Sequence, residues 1–250
     1  MKGVRLWYNS GAVLRTAVLF IIYVIAVLAI IPFFGLCFLL RLRQPLLWYG
    51  KAAMWLGPKV LGVRVEVQGR EQIDRKRTYI FMSNHLSFLD GPLLFLVIPK
   101  AVRIILKKEI FRIPVVGLGM GYVGFVPVDR KGIKSGRRSI ERAASLIREK
   151  GYSFLIFPEG TRSRDGCLQP FRRGGFYLTR LAGIPIVPIT ISGTYELMPR
   201  GQAWVRRGKV KVVFHPSLAI GDKKEKGMEE LMDRVRTVIR SALPPEEEAG

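Results

Sequence analysis

Asn84-His85-Leu86-Ser87-Phe88-Leu89-Asp90 sets an imidazole and a carboxylate in one short stretch with four residues between them and no other ionisable side chain. The chain of 250 residues has only two histidines, so His85 is close to a choice by elimination for a general base. An imidazole with an ordinary pKa of about 6.5 suits proton abstraction near neutrality, and a carboxylate can fix its tautomer and orientation. Positions i and i+5 lie about 140° apart on a regular helix, so the pair meets only if the chain turns between them. His85 is therefore expected before a helix and Asp90 at its first turn, with Asp90 or Ser87 as the N-cap. Such a pair would activate a hydroxyl or a water.

A second constellation is Phe157-Pro158-Glu159-Gly160-Thr161-Arg162-Ser163. A glycine just after a buried strand lets backbone N–H groups approach an anion, and an arginine can grip a phosphate with two parallel hydrogen bonds. Lys107 and Arg130 each follow a strand and could reach the same anion, with Arg172 and Arg173 as weaker candidates. Other patterns carry no chemistry. Gly119-Met-Gly121-Tyr-Val-Gly124 matches the dinucleotide fingerprint only formally, because its glycines lead into a strand rather than open a helix. His215 has no neighbouring ligand set for a metal, and no G-x-S-x-G elbow is present. Two cysteines, one of them inside an apolar run, provide no disulfide framework or cysteine metal site and suit a reducing compartment.

These motifs need strands that end where they begin. Arg64–Gln68 alternates in the manner of a strand, and Thr78–Met82 reads as a buried one running straight into Asn84. Further strands are expected at Arg103–Leu106, Tyr122–Val128, Ser153–Phe157, Ile184–Ile191 and Val210–Phe214. Helices are expected from Pro92 to Ile98, from Gly136 to Lys150 and from Lys224 to Leu243. Strands and helices alternate without an internal repeat. That pattern predicts an α/β fold with a mixed, mainly parallel sheet flanked by helices, its site outside the carboxyl ends of the strands.

Composition points to an anionic surface. The formal net charge is +22, yet 49% of residues are hydrophobic, a balance suited to anionic lipid headgroups or polyanionic substrates. No helix-turn-helix, zinc-finger or RNA-binding signature is present, so nucleic acid is not an expected partner. Ala17 to Leu40 contains no charged residue and as a helix would extend about 36 Å, enough to cross a hydrocarbon core of roughly 30 Å. It ends in Arg41 and Arg43 rather than a cleavage site and should stay in the protein. Pro32 and Gly35 could kink it or turn it back. Basic residues flank it on both sides, so the positive-inside rule assigns no orientation. Trp48, Tyr49 and Trp55 follow in a second apolar stretch suited to a membrane interface. One crossing and a hairpin dipping into one leaflet both fit. The expected organisation is a membrane-associated helical segment over residues 1–60, a globular domain over 61–245 and a disordered tail over 246–250.

In order and spacing, these blocks closely resemble the 1-acylglycerol-3-phosphate (lysophosphatidic acid) acyltransferase family, over about residues 60–220. Asn84-His85-x-Ser87-x-x-Asp90 resembles the family's catalytic N-H-x-x-x-x-D block. Lys107 to Pro114 and Gly117, continuing to Val126–Arg130, is similar to the block tied to glycerol-phosphate recognition. Phe157–Ser163 looks like F-P-E-G-T-R-S, and Val187–Gly193 like the block on the acyl-binding side. The resemblance implies that His85, held by Asp90, deprotonates the sn-2 hydroxyl of lysophosphatidic acid. The oxygen then attacks an acyl thioester, acyl-CoA or acyl-ACP, and no metal or covalent acyl-enzyme is required. Lys107, Arg130 and Arg162 would hold the phosphate, with Glu159 orienting Arg162 or the glycerol. Gly160 and Thr161 would supply donors for developing charge, and Val187 and Pro188 would lie on the acyl side. The implied setting is a membrane containing anionic lipids, with the catalytic domain on the cytoplasmic face of a bacterial-type membrane. Glycerol-3-phosphate, other lysophospholipids and lyso-aminolipids remain open as acceptors. A non-catalytic lipid binder and a lipid hydrolase using the same base remain open as different classes.

Overall fold

The computed structural model describes residues 10–129, 133–220 and 225–248. Two helices come first, α1 (Ser10–Leu39) and α2 (Gln44–Leu61), followed by β1 (Val63–Gln68) and β2 (Ile80–Ser83). Then come α3 (Asp90–Val97), β3 (Val102–Lys107), α4 (Val116–Tyr122), β4 (Val126–Val128), α5 (Ile133–Lys150) and β5 (Ser153–Ile156). The chain continues through α6 (Arg173–Ala182), β6 (Ile186–Ser192), α7 (Thr194–Leu197) and β7 (Gly208–Phe214), and closes with α8 (Glu225–Arg240) and α9 (Pro245–Glu248).

The strands form one seven-stranded sheet in the order β1-β7-β6-β2-β5-β3-β4. All neighbours are parallel except β6 and β7, so β1 and β7 run opposite to the other five. Strands covered on both faces should be apolar throughout, and those with one exposed face should alternate. Accordingly β2, β5 and β6 are buried at every residue, whereas β1 alternates buried or half-buried valines with exposed positions. The two-residue period divides the core into two layers. Phe81, Leu155, Val187 and Ile189 face one layer under α2 and α3, while Ile80, Met82, Phe154 and Ile156 face the other under α5, α6 and α8.

The sheet and alternation are as expected from sequence, but several boundaries differ. The strand expected from Tyr122 is only Val126–Val128, because Val116–Tyr122 is helical and carries the first two glycines of the formal G-x-G-x-x-G match, with Gly124 in the turn after it. Helix α6 is not among the helices expected from sequence and opens on Arg173-Gly174-Gly175. A Cβ at Gly175 would lie 3.1 Å from Ile156 Cγ2, so this glycine lets the helix approach the sheet. The tail expected to be disordered from residue 246 includes the α9 turn, which buries Glu247 at 3% exposure. The Glu247 side chain accepts the Gly193 N–H at 3.0 Å, and its carbonyl accepts the Leu168 N–H at 3.0 Å, which is why this acidic run is held.

Helix α1 runs unbroken through Pro32, and the reversal comes at residues 40–43, with Arg41 at a positive φ of 57°. The pair α1–α2 is a hairpin tied by the Tyr49 hydroxyl donating to the Ala26 carbonyl at 2.7 Å. Both ends of α1 touch the globular part. Near its start, Thr16 Oγ1 accepts the Val205 N–H just ahead of β7; near its end, Phe34 and Phe38 pack on Tyr122 just ahead of β4. Because β7 and β4 lie near opposite edges of the sheet, the helix lies along the molecule rather than projecting from it. Its outer side exposes Leu14, Phe20, Ile21, Ile25, Leu28 and Leu39, and Trp48 and Trp55 extend that apolar surface onto α2.

Candidate active site

Three central strands end at the same place. From β2 the chain passes into Asn84 and His85, from β5 into Phe157–Ser163, and from β6 into Gly193 and Thr194. Asn84 joins two of these ends. Its side-chain amide donates to the Ile191 carbonyl at 2.7 Å, and its side-chain oxygen accepts the Ile191 N–H at 2.9 Å. The polar residue that precedes the histidine thus acts as a false strand neighbour to β6, fully buried and satisfied at both ends.

The His85–Asp90 pair meets as expected, with Nδ1 2.8 Å from Asp90 Oδ2. The same oxygen accepts the N–H groups of Leu86 at 2.7 Å and Ser87 at 2.8 Å, and Oδ1 accepts the Thr194 hydroxyl at 2.6 Å. A carboxylate receiving this many donors is an acceptor only, so Nδ1 must carry the proton and donate it. The tautomer is thereby fixed, and the Nε2 lone pair is left as the base. Asp90 is fully buried, whereas the His85 side chain keeps 14% of its surface open. The imidazole also stacks on Phe157, with ring centroids 4.0 Å apart and planes inclined by 17°. Hydrogen bond and stack together fix the ring's direction and plane.

Neither Asp90 nor Ser87 is the N-cap of α3. The helix opens at Asp90 itself, whose carboxylate reaches back to the turn before it, and the capping position is Leu89. Ser87 Oγ instead donates to the Met198 carbonyl at 2.7 Å. The break required by the i, i+5 spacing is therefore made by the carboxylate folding Leu86 and Ser87 around itself.

Glu159 is turned into the protein. It is 2% exposed, and its two oxygens accept the His85 N–H at 2.6 Å and the Gln169 N–H at 3.2 Å. Burial pushes its carboxyl up to about 8, against the lowering effect of those two bonds. Its role here is positional: it ties the backbone of the base to the turn after β5. The Ser163 N–H closes the same frame by donating to the His85 carbonyl at 2.8 Å.

That turn depends on glycine. Gly160 has φ +73°, and its N–H donates to the Phe157 carbonyl at 3.0 Å, so it is not itself free to meet an anion. The N–H groups of Thr161 and Arg162 donate to no described residue, and neither does the Arg162 guanidinium. Arg172, a weaker candidate from sequence, lies directly over the turn: a Cβ on Gly160 would sit 2.9 Å from its Cδ. Lys107 ends β3, half exposed and 3.6 Å from Glu109. Arg130 lies outside the described residues. Val187 and Pro188 lie in the middle of β6 and are buried, Val187 completely, within the sheet rather than beside the imidazole. Thr194 and Phe157 complete the site without having been singled out from sequence. For Thr194 no local pattern could have done so, since its contact with Asp90 spans 104 residues. Among the described residues no group of three or more His, Cys, Asp or Glu side chains is suited to a metal ion.

A buried carboxylate, an oriented imidazole with a free nitrogen and, among the described residues, a turn with unpaired N–H donors beside an unpaired guanidinium form an arrangement chemically able to abstract a proton next to an anion. An acyltransferase domain model matches residues 64–192, more than half of the chain, including His85, Asp90 and the Phe157–Ser163 turn, with Thr194 just beyond it. The chain belongs to the acyltransferase family. A chloroplast 1-acyl-sn-glycerol-3-phosphate acyltransferase of Brassica napus is 37% identical over 182 residues, 72% of this chain and 51% of that one. The alpha form of Bos taurus is 31% identical over 175 residues, 70% of this chain and 61% of that one. The chain spans about half the length of the first curated relatives it matches. The crystal structure of the 1-acyl-sn-glycerophosphate acyltransferase PlsC from Thermotoga maritima superposes with a TM-score of 0.72 at 28% identity, covering 91% of this chain and 92% of that one.

Proposed function

We propose that this chain transfers a fatty acyl group from an acyl thioester, acyl-CoA or acyl-ACP, to the sn-2 hydroxyl of lysophosphatidic acid, giving phosphatidic acid. The observation that carries the reading is the free Nε2 of His85, oriented by Asp90 and by the Phe157 ring. Nε2 takes the proton of the attacking hydroxyl, and the oxygen adds to the thioester carbonyl. The tetrahedral intermediate collapses with loss of the thiolate, which recovers the proton from the imidazolium. Asp90 stabilises that imidazolium and never leaves its four hydrogen bonds. The unpaired N–H groups of Thr161 and Arg162 are suited to the developing oxyanion or to the acceptor phosphate. Arg162, Lys107 and Arg130 are the proposed phosphate ligands, joined by Arg172 above Gly160. Val187 and Pro188 act on the acyl chain through the sheet that carries the site. The similarity to 1-acyl-sn-glycerol-3-phosphate acyltransferases supports the same acceptor.

The apolar hairpin supports a membrane setting for this reaction. Helix α1 is anchored at both ends, which supports a hairpin lying in one leaflet over a helix crossing both. The site then opens towards a lipid acceptor, with the domain on the cytoplasmic face where thioester donors arrive. Purified protein given acyl-CoA, or acyl-ACP, and a panel of lysophosphatidic acid, glycerol-3-phosphate and lysophosphatidylcholine tests the reading. Phosphatidic acid should be the main product; absence of turnover with lysophosphatidic acid refutes it, and release of fatty acid without an acceptor assigns a hydrolase instead.

A further inference from the structure

The foot of α1 gathers cations without counter-charges. Residues 1–62 contain no acidic residue, so the hairpin brings Arg15 to the protein and nothing to neutralise it. The segment between α7 and β7 that meets this foot supplies Arg200, Arg206 and Arg207, and no ion pair among the described residues joins any of the four to a carboxylate. The tie between the two segments is the Val205 N–H donating to Thr16 Oγ1 at 3.0 Å. One residue away from that tie, on either strand of the contact, lie three buried N–H donors without a hydrogen-bond partner among the described residues: Arg15 Nε, Trp204 Nε1 and Arg206 Nη2.

Buried donors are normally satisfied, and buried guanidinium groups are normally paired. Three orphans of one polarity beside one contact call for an acceptor from outside the chain. It must be anionic, since two of the donors are cationic, and it must offer several oxygens, since the donors are spread over three side chains. A phosphate group meets both demands. The surrounding backbone is fixed for the purpose: the Gln202 side-chain amide donates to the Trp204 carbonyl at 2.7 Å, and the Arg206 N–H to the Leu197 carbonyl at 2.9 Å. Gln202 Oε1, buried and unpaired in the same segment, can accept from a headgroup hydroxyl or a bridging water. None of these residues belongs to the His85–Asp90 pair or to the Phe157–Ser163 turn.

We infer an accessory phosphate-binding site at the junction of the α1 foot and the 199–207 segment, formed by Arg15, Trp204 and Arg206. Its ligand is the phosphate of an anionic lipid headgroup or free phosphate. The lipid source rests on the membrane placement proposed above, whereas the site itself does not. An occupied site would hold the foot of the hairpin against the domain at the depth of the headgroups.

The test is native mass spectrometry of the full chain in detergent, titrated with phosphatidylglycerol, phosphatidylcholine or inorganic phosphate. Because the readout is bound mass rather than turnover, it is independent of the proposed reaction. The expected result is retention of phosphatidylglycerol over phosphatidylcholine, with Arg15→Gln/Arg206→Gln weakening retention at least about tenfold, as expected for loss of two charge-assisted contacts. Trp204→Phe, which keeps the ring and removes one donor, should weaken it less. If the double variant is poorly folded, Arg15→Lys/Arg206→Lys keeps the charge and removes the planar fork, and should still reduce retention. Binding of inorganic phosphate with no selective retention of phosphatidylglycerol overturns the lipid source. Equal retention by the wild type and all three variants overturns the site.

Discussion

Thr194 is the most informative residue to change, because its hydroxyl is the only partner of Asp90 Oδ1 among the described residues while the base-side oxygen keeps three donors. Thr194→Val preserves shape and removes that single hydrogen bond at 2.6 Å in a fully buried place. Hydrogen bonds to charged groups contribute about 1.5–3 kcal/mol, and an orphaned buried acceptor loses a similar amount. The variant should therefore unfold about 2 kcal/mol more easily, a fall in Tm of roughly 4–8 °C for a chain of this size. Turnover should fall as well, but only in part. General-base assistance is typically worth about 10²–10⁴ in rate, and Asp90 stays tethered through Oδ2, so a loss of about tenfold in kcat is expected with KM for the thioester unchanged. Thr194→Ser restores the hydroxyl and should recover most of both quantities. Thermal melting and steady-state acyl transfer in detergent measure them side by side. Unchanged kcat and Tm in the valine variant would refute the reasoning, as would a serine variant as impaired as valine.

Three further outcomes follow from the same geometry. Glu159 is raised from 4.5 to about 8 by burial, so the folded state holds a proton that the unfolded state gives up. Its contribution to stability is complete below about pH 4.5 and is lost as pH rises towards 8; denaturant titrations across that range should show this fall in the wild type and not in Glu159→Gln. Asn84→Ala leaves both the Ile191 N–H and carbonyl without their side-chain partners and should cost about 3 kcal/mol, a drop in Tm of roughly 6–12 °C. Gly160→Ala forces a Cβ onto a residue at φ +73° and against Arg172; with left-handed strain of about 1–3 kcal/mol, the turn should shift and KM for the lipid acceptor should rise, read from initial rates over acceptor concentration.

How far the sequence discloses this protein depends on the range of the interaction. The apolar runs of β2, β5 and β6 and the amphipathic α5 and α8 announce themselves locally, because burial on two faces or on one leaves a periodic trace. The His85–Asp90 pair is legible for the same reason, its partners being five residues apart. Elements whose conformation is set by what they touch are not. Helix α6 opens on two glycines that favour no helix locally, yet a Cβ on Gly175 would crowd Ile156, so close packing on the sheet takes precedence over propensity. Glu159 carries the look of a substrate-facing acid, and only the tertiary fold reveals that both its oxygens bind the backbone of His85 and Gln169. Thr194 joins the site through the end of β6, and Glu247 holds that strand end at Gly193 from the last turn, with nothing in their own surroundings to mark them.

The central claim is that His85, fixed by Asp90, is the base for acyl transfer onto a membrane-embedded hydroxyl. Its most direct test is the single-turnover rate of phosphatidic acid formation from acyl-CoA and lysophosphatidic acid, measured for wild type and His85→Ala with vesicle binding checked in parallel. The account predicts a loss of about 10²–10⁴ in that rate with vesicle binding retained. A His85→Ala enzyme within a few-fold of the wild-type rate would contradict it.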